Sequence, residues 1–196
     1  MRGVIFSQSV ESYAGHGRMG IDIMWFNNFK TVKEEKSPFL YFSRNRASVD
    51  YKNSTTAFGS TNAISYNLKS GFGIVAVASF LNAGLTPKAG IQFFKAKGNF
   101  MFFGWLVSDL NQHPNIDLFG LFRYQPVLQD QLKLFSQIEV FPVYSINKES
   151  WNLTQRIRLG LKFKNWVFGS MADFNQFGQI SFTKSYNLGG FLRYEF

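Results

Sequence analysis

Cysteine is absent from this 196-residue sequence. Its absence excludes disulfide bonds and thiolate metal sites and is compatible with an oxidising envelope compartment. Charged residues are also scarce, because they make up 17% of the chain against roughly 25% in a typical soluble domain. Phenylalanine, by contrast, occurs 24 times and glycine 17 times. Few charges combined with many aromatic residues and glycines suit short strands whose outward faces meet lipid.

Long hydrophobic runs are missing as well. The longest uncharged run covers residues 70–87, and its continuous apolar core is limited to residues 74–81 even when Ser79 is included. A spanning helix needs about 20 apolar residues, so residence in a membrane would have to be by a barrel. Near the N-terminus only Val4, Ile5 and Phe6 are consecutive apolar residues, fewer than the roughly 7–15 of a secretory signal. If the protein is exported, we expect its leader to have been removed.

The charge balance is strongly basic, with a formal net charge of +9. This excess is compatible with a solvated basic surface, with a positive lumen, or with a surface that meets anionic lipid headgroups. Nucleic acid is a further partner class for any basic chain, although the strand pattern described next leads us to expect none.

Polar and apolar residues alternate along segments of about ten residues separated by short turns, as in a membrane barrel. Glycine recurs inside these segments, and the period of two disfavours helix. From Arg18 onward we count twelve such segments, an even number as in bacterial single-chain barrels. They cover residues 18–29, 39–49, 57–68, 72–81, 88–95, 99–109, 116–124, 132–142, 151–163, 166–174, 179–184 and 187–196. Residues 1–17 are predicted to be an N-terminal tail or a short extra strand, and residues 18–196 a single barrel domain.

The clearest alternation lies in residues 151–163. One face carries Leu153, Ile157 and Leu159, and the other carries Arg156, Arg158 and Lys162. Each cation would cost about 2–4 kcal/mol near the bilayer midplane, so the basic face must meet water or counter-charges.

The last ten residues, NLGGFLRYEF, form another alternating segment that ends on an aromatic residue. This ending resembles the closing strand of Gram-negative outer-membrane β-barrels. The resemblance implies that Leu192, Tyr194 and Phe196 face lipid and form the signal that the barrel-assembly machinery reads. It also implies a bacterial outer-membrane location, with outer-membrane lipid and lipopolysaccharide as partners and with other envelope proteins as further candidates.

A soluble β-sandwich or lipocalin-like barrel would also alternate, but it would place polar residues outside and would not need aromatic residues at so many strand ends. Aromatic residues lie near the predicted turns, as an interfacial girdle requires; they are Trp25, Tyr41, Tyr66, Tyr124, Tyr144, Trp151, Trp166, Tyr186 and Tyr194. The sequence therefore predicts an all-β, transmembrane, antiparallel up-and-down barrel of about 12 strands with short loops, 10 and 14 strands being the alternatives.

The residues on the parity opposite to the lipid face are predicted to line the lumen. The basic ones are Arg44, Arg46, Lys88, Arg123, Lys133, Arg156, Arg158, Lys162 and Arg193, and their acidic partners are Asp22, Asp109, Asp117, Glu139, Asp173 and Glu195. A positive excess would favour anions in a channel. The alternative is a network of cross-strand ion pairs that fills the interior. Aromatic residues of the same parity, namely Phe26, Phe103, Trp105, Phe119, Phe135, Phe141 and Phe191, would narrow or close the lumen.

Catalysis finds little support in the sequence. Lipid-modifying barrels need a histidine beside a serine or an acid, and only His16 and His113 are available. The predicted strand order places both histidines at the same end of the barrel as the chain termini. We predict no catalytic residue, no metal site and no cofactor.

Three functions follow from these patterns. The first is a porin-like small-solute channel with a basic lumen, and the second is a non-conducting structural or accessory subunit of a larger outer-membrane complex. The third is an outer-membrane lipid-modifying enzyme.

Overall fold

Every regular element in the described part of the chain is a β-strand. The structure, a computed structural model, describes residues 8–30, 36–82 and 84–196. The strands are β1 (Ser9–Gly15), β2 (Arg18–Lys30), β3 (Lys36–Asp50), β4 (Thr56–Asn67), β5 (Phe72–Leu81), β6 (Gly84–Lys97), β7 (Phe100–Asp109), β8 (Asn115–Tyr124), β9 (Val127–Gln129), β10 (Leu132–Ser145), β11 (Ser150–Phe163), β12 (Trp166–Gly178) and β13 (Phe182–Glu195). Among the described residues there is no helix long and apolar enough to cross a membrane.

The strands close into a twelve-stranded antiparallel barrel. Each of β1 to β7 pairs with the next, β8 pairs with β10, and β10 to β13 continue the order until β13 pairs with β1. The closing register runs from Ser9 opposite Glu195 to Gly15 opposite Gly189. β9 has three residues, pairs with β10 and lies outside the ring. The predicted fold class and the number of barrel strands are confirmed.

The barrel has two open ends, which we name by the strands that meet there. The first mouth contains the starts of β1, β3, β5, β7, β10 and β12 and the ends of β2, β4, β6, β8, β11 and β13. The second mouth contains the opposite ends of the same strands.

Two of the predicted strands are wrong although the total is right. Residues 179–184 and 187–196 were predicted as separate strands, but residues 179–181 lie in the turn after β12, and β13 runs from Phe182 to Glu195 without a break. Lys184 lies opposite Gln176 and Tyr186 opposite Phe174. The polar residues between them extend the strand towards the second mouth instead of ending it. The twelfth place is taken by β1, which lies within the segment predicted as a tail or short extra strand; residues 1–7 of that segment lie outside the described residues.

The outward faces form an apolar belt. On these faces, Ile74 is 69% and Leu159 53% exposed to the surroundings of the barrel. Aromatic residues such as Trp151 and Trp166 lie at the strand ends and are likewise exposed. This distribution of apolar side chains matches the lipid-facing surface of a membrane barrel.

The interior is filled by side chains that pack as a protein core does. One apolar cluster covers the inner faces of β2 to β8, with Phe103 and Leu121 fully buried at its centre. A smaller cluster around Phe135, Phe191 and Tyr13 covers the opposite wall, from β10 round to β1. Between the two clusters lie the charged residues.

Candidate functional site

All nine basic residues predicted to line the lumen lie on the inward parity of their strands. Lys88, Arg123, Arg158 and Arg193 are buried, at 3–8% exposure. The alternation of β11 explains this placement, because Arg158 turns inward while its neighbours Ile157 and Leu159 are exposed. Whether these residues line a conducting path is a separate matter.

One chain of ion pairs runs along the second-mouth half of the interior. Glu139 accepts hydrogen bonds from Arg44 Nη1 at 2.8 Å and from Arg156 Nη1 at 3.5 Å. Arg44 also donates to Asp22, with Nη2 at 2.5 Å from Oδ2. Arg46 continues the chain, since its Nε lies 3.7 Å from Asp22 and its Nη2 lies 3.5 Å from an oxygen of Asp173.

A second chain of ion pairs continues towards the first mouth. Arg158 donates to Asp173 at 2.7 Å and to Glu11 at 2.8 Å. Arg193 Nε donates to the other oxygen of Glu11 at 2.9 Å. Near the mouth, Glu195 pairs with Lys162 and, at 3.4 Å, with Arg123.

Glu11 and Gln137 are the central acceptors that the sequence prediction missed. Glu11 is 2% exposed and is shared by two arginines. Gln137 accepts from Arg123 at 2.8 Å and from Arg193 at 2.9 Å through the same oxygen. The alternation of Ser9, Glu11 and Tyr13 is the signal that could have revealed β1, but its outward partners are small and weakly apolar.

Two predicted basic residues lie apart from these chains. Lys88 forms its own cluster, with Nζ 2.5 Å from Asp109 and 2.7 Å from Asp117. Lys133 lies opposite Lys162 in the pairing of β10 with β11, outside the chains of ion pairs just described.

Side chains from opposite walls meet inside the barrel. β3 and β10 are six strands apart in either direction around the ring, yet Arg44 of one bonds Glu139 of the other. On the apolar side, the rings of Phe26 and Phe103 lie 4.6 Å apart and those of Phe42 and Trp105 lie 5.3 Å apart. Ionic and aromatic contacts therefore both cross the interior.

A cavity of about 270 Å³ remains on the second-mouth side of these contacts. Arg18, Arg44, Arg46 and Arg156 line it together with aromatic residues, and the start of β4 and the end of β5 complete its wall. Arg18 is 30% exposed and also approaches Asp173, at 3.7 Å.

The histidines lie at the second mouth, so their predicted position beside the chain termini is wrong. The error follows from counting the strands from Arg18, because the addition of β1 reverses the direction of each strand up to β12. His16 Nδ1 accepts a hydrogen bond from the backbone of Leu188 at 3.1 Å, and His113 contacts the side-chain amide of Asn147. Their turns are six strands apart around the ring. Neither contact is with the serine or carboxylate that a hydrolytic site would require.

Leu192 and Tyr194, from the predicted assembly signal, lie on the outward face of β13 near the first mouth, and Phe196 follows directly after the strand. Leu192 is 46% and Phe196 67% exposed. The ring of Tyr194 packs between those of Trp166 and Phe196, at 4.8 and 4.9 Å. Recognition of these residues by assembly machinery stays a prediction.

Comparison with known proteins gives a match in fold alone. No protein-family model matches the chain, and no curated protein matches it. A solved structure from a study of the in-meso crystallization of membrane proteins is similar, with a TM-score of 0.54, 10% identity, and coverage of 97% of this chain and 83% of that one.

Two triple mutants of the Rh. blastica porin align over 98% of this chain and 99% of theirs, at 6% and 7% identity. Their TM-scores of 0.23 and 0.18 are too low to support an argument. The match with a TM-score of 0.54 and the closed ring of strands show that the chain has the antiparallel barrel fold of a membrane protein.

Proposed function

We propose that this chain is an integral, non-enzymatic β-barrel of the Gram-negative outer membrane whose lumen is closed, and that it serves as a structural or accessory subunit of an envelope assembly. The observation that carries the proposal is the contact between Arg44 and Glu139, which joins opposite walls at 2.8 Å. The apolar belt and the aromatic strand ends support a location in a membrane.

Closure of the lumen has an energetic basis. Arg44 and Glu139 have side-chain exposures of 12% and 4%, and breaking such a buried pair typically costs about 3–5 kcal/mol. The rings of Phe26, Phe42 and Phe103 fill the space beside the pair. The ion pair and the rings lie side by side across the lumen, so a solute would have to displace one of these two sets of contacts to pass.

A polar patch on the outward face supports the subunit role. Ser43 and Asn45 on β3 lie opposite Asn62 and Ser60 on β4, midway along both strands and on the lipid-facing parity. Asn62 accepts a hydrogen bond from Tyr41 at 2.8 Å, and Asn45 donates to Ser43 at 3.3 Å. Amide and hydroxyl groups at mid-bilayer are better accommodated against a protein partner than against lipid tails.

An anion-selective channel is the second candidate. The two chains of ion pairs, followed from mouth to mouth among the described residues, join eight cationic side chains and five carboxylates. This positive excess would favour anions if the crossing contacts opened.

Conductance in planar bilayers distinguishes these two candidates. We expect wild-type barrel to give no steady current, and we expect a variant carrying Arg44→Ala and Glu139→Ala to conduct because both crossing side chains are shortened. A matched control carries Lys148→Ala and Glu149→Ala, which remove one charge of each sign from the exposed β10–β11 turn, and it should remain silent. A steady anion-selective current from wild-type protein would reject closure and favour the channel.

Association tests the subunit role. Asn62→Leu makes the patch more compatible with lipid and removes the amide that accepts from Tyr41 and donates to Ser60 within the patch. Chemical cross-linking in native outer membranes should trap a neighbour of the wild-type barrel and trap less of it with the variant, while Ile64→Leu on the same outward face should leave the yield unchanged. Equal yields for all three proteins would argue against a contact at this patch.

A further inference from the structure

The cavity at the second mouth is lined by guanidinium groups and by aromatic rings. The guanidinium groups belong to Arg18, Arg44, Arg46 and Arg156, and the rings include those of Phe42, Trp105, Phe119 and Phe141. We propose that this cavity binds a small organic anion with a carboxylate or phosphate head and a compact apolar body.

The charge of the cavity wall points to an anionic ligand. No carboxylate belongs to the described residues that line the cavity. The acids that hold the arginines lie behind them, with Asp22, Glu139 and Asp173 only 1–5% exposed. Since the acids fix the guanidinium groups from behind, the cationic groups are arranged around the cavity before a ligand arrives.

Several donors in this cluster make no hydrogen bond. Arg18 Nε, Arg156 Nε and Arg46 Nη1 are buried and have no hydrogen-bond acceptor among the described residues, and Arg46 Nη2 has only the ion pair of 3.5 Å with Asp173. Buried guanidinium N–H groups normally find an acceptor. Because a planar guanidinium matches the geometry of a carboxylate or phosphate, small rotations of these side chains towards the cavity would supply bonds to an oxyanion.

The aromatic part of the lining favours a ligand whose apolar part is flat or compact. The ring of Trp105 lies 5.3 Å from that of Phe42 and 4.9 Å from that of Phe119. These rings offer dispersion contacts to a flat apolar group, but they carry no charge that could bind a second ionic group. A bare inorganic anion would leave this surface unused, so the match is with an aryl or compact alkyl oxyanion.

Size and access limit the ligand further. The volume of about 270 Å³ lies just below the range of about 300–1,000 Å³ for drug-sized ligands. The side chain of Arg18 is 30% exposed, so the cavity can be reached from the second mouth.

Calorimetry on the full-length barrel in detergent tests the proposal. Benzoate and phenyl phosphate serve as probes for the two head groups, and benzyl alcohol provides the same ring without charge. We expect saturable, salt-sensitive binding of at least one anion and none of the alcohol. The anion that binds with the higher affinity identifies the head group that the cavity prefers.

Two cavity variants and one control assign the binding to the arginines. Arg46→Gln should weaken binding of the preferred anion by about tenfold or more, as expected for loss of a charged hydrogen bond. Arg18→Gln should weaken it several-fold, and because Arg18 is partly exposed this variant is the safer one for folding. Lys52→Gln removes the same charge from the exposed β3–β4 turn at the same mouth and should leave the affinity unchanged.

Three outcomes would overturn the proposal: no saturable binding of either anion by folded wild-type barrel, equal binding of benzyl alcohol, or an equal loss in the Lys52→Gln control. Folding is verified for each variant by its heat-modifiable mobility in gel electrophoresis. The binding test is independent of the conductance test. A wild-type barrel that conducted and still bound the anion would refute closure of the lumen but would support the binding site.

Discussion

At the scale of single residues, Glu11 holds together two arginines that reach it from different strands. Arg158 on β11 and Arg193 on β13 bond separate oxygens of its carboxylate, at 2.8 and 2.9 Å. All three side chains are at most 4% exposed. Glu11 therefore compensates two cations that neither lipid nor bulk water can reach.

Replacing Glu11 by Gln should destabilise the barrel by about 3–5 kcal/mol, because an amide of nearly the same shape removes the buried negative charge that Arg158 and Arg193 share. Arg158 would keep only its pair with Asp173, and Arg193 only the longer pair with Glu195. The free energy of unfolding, measured by urea titration of the barrel in lipid vesicles, reports this loss. Glu149→Gln makes the same chemical change at an exposed turn position and should stay within about 0.5 kcal/mol. Equal values for the two variants would show that Glu11 does not have this structural role.

At the scale of elements, β1 determines whether the sheet is a closed barrel. Its seven residues pair with β13 on one side and with β2 on the other. Without β1, two long strands would each have an unpaired edge, which is a severe penalty where no water is available to satisfy backbone groups.

Ser12→Pro should prevent closure, because proline removes a backbone N–H from the centre of β1 and resists pairing on both sides. The expected result is loss of the heat-modifiable folded band in gel electrophoresis. Leu128→Pro provides the control, since it alters β9, which is exposed and outside the ring, and should keep that band. A folded Ser12→Pro barrel would mean that the pairing of β1 with β13 and β2 tolerates a proline at its centre.

At the scale of the whole molecule, the outer surface of the barrel is apolar and the buried charged residues lie inside it. Charged residues such as Asp173 and Arg158 are buried inside, and large apolar residues such as Ile74, Leu159 and Leu192 face outward. The molecule therefore requires lipid or detergent around its belt, and its stability should depend on the depth of each outward residue.

Depth dependence can be measured along β11. Ile157 lies at the middle of the strand and Phe163 at its end, and both face outward. Ile157→Lys should cost about 2–4 kcal/mol and Phe163→Lys about 0–1 kcal/mol, as measured by unfolding from lipid vesicles. Equal and small costs at both positions would indicate that this face of β11 does not meet hydrocarbon.

The sequence by itself determined the fold class and the inward position of the charged side chains in its clear strands. These properties are local, because the period of two along a strand assigns every residue to one side of the sheet. Arg156, Arg158 and Lys162 could be placed inside from their own segment alone. The strand number was right because one strand predicted as two and one strand not counted cancelled each other. The same reasoning did not count β1 as a strand and divided β13 into two. In both places the alternation of polar and apolar residues is weak.

Only the tertiary structure decided which partners meet across the interior. Glu11 lies 147 residues from Arg158 and 182 from Arg193 along the chain, and no local pattern relates them. Closure of the ring and the register of β1 with β13 bring Glu11 within hydrogen-bonding distance of both arginines. Closure also brings Arg44 to Glu139 and places both histidines at the second mouth. The four-arginine cavity arose in the same way, because residues of β2, β3 and β11 become neighbours only when the sheet curves back on itself.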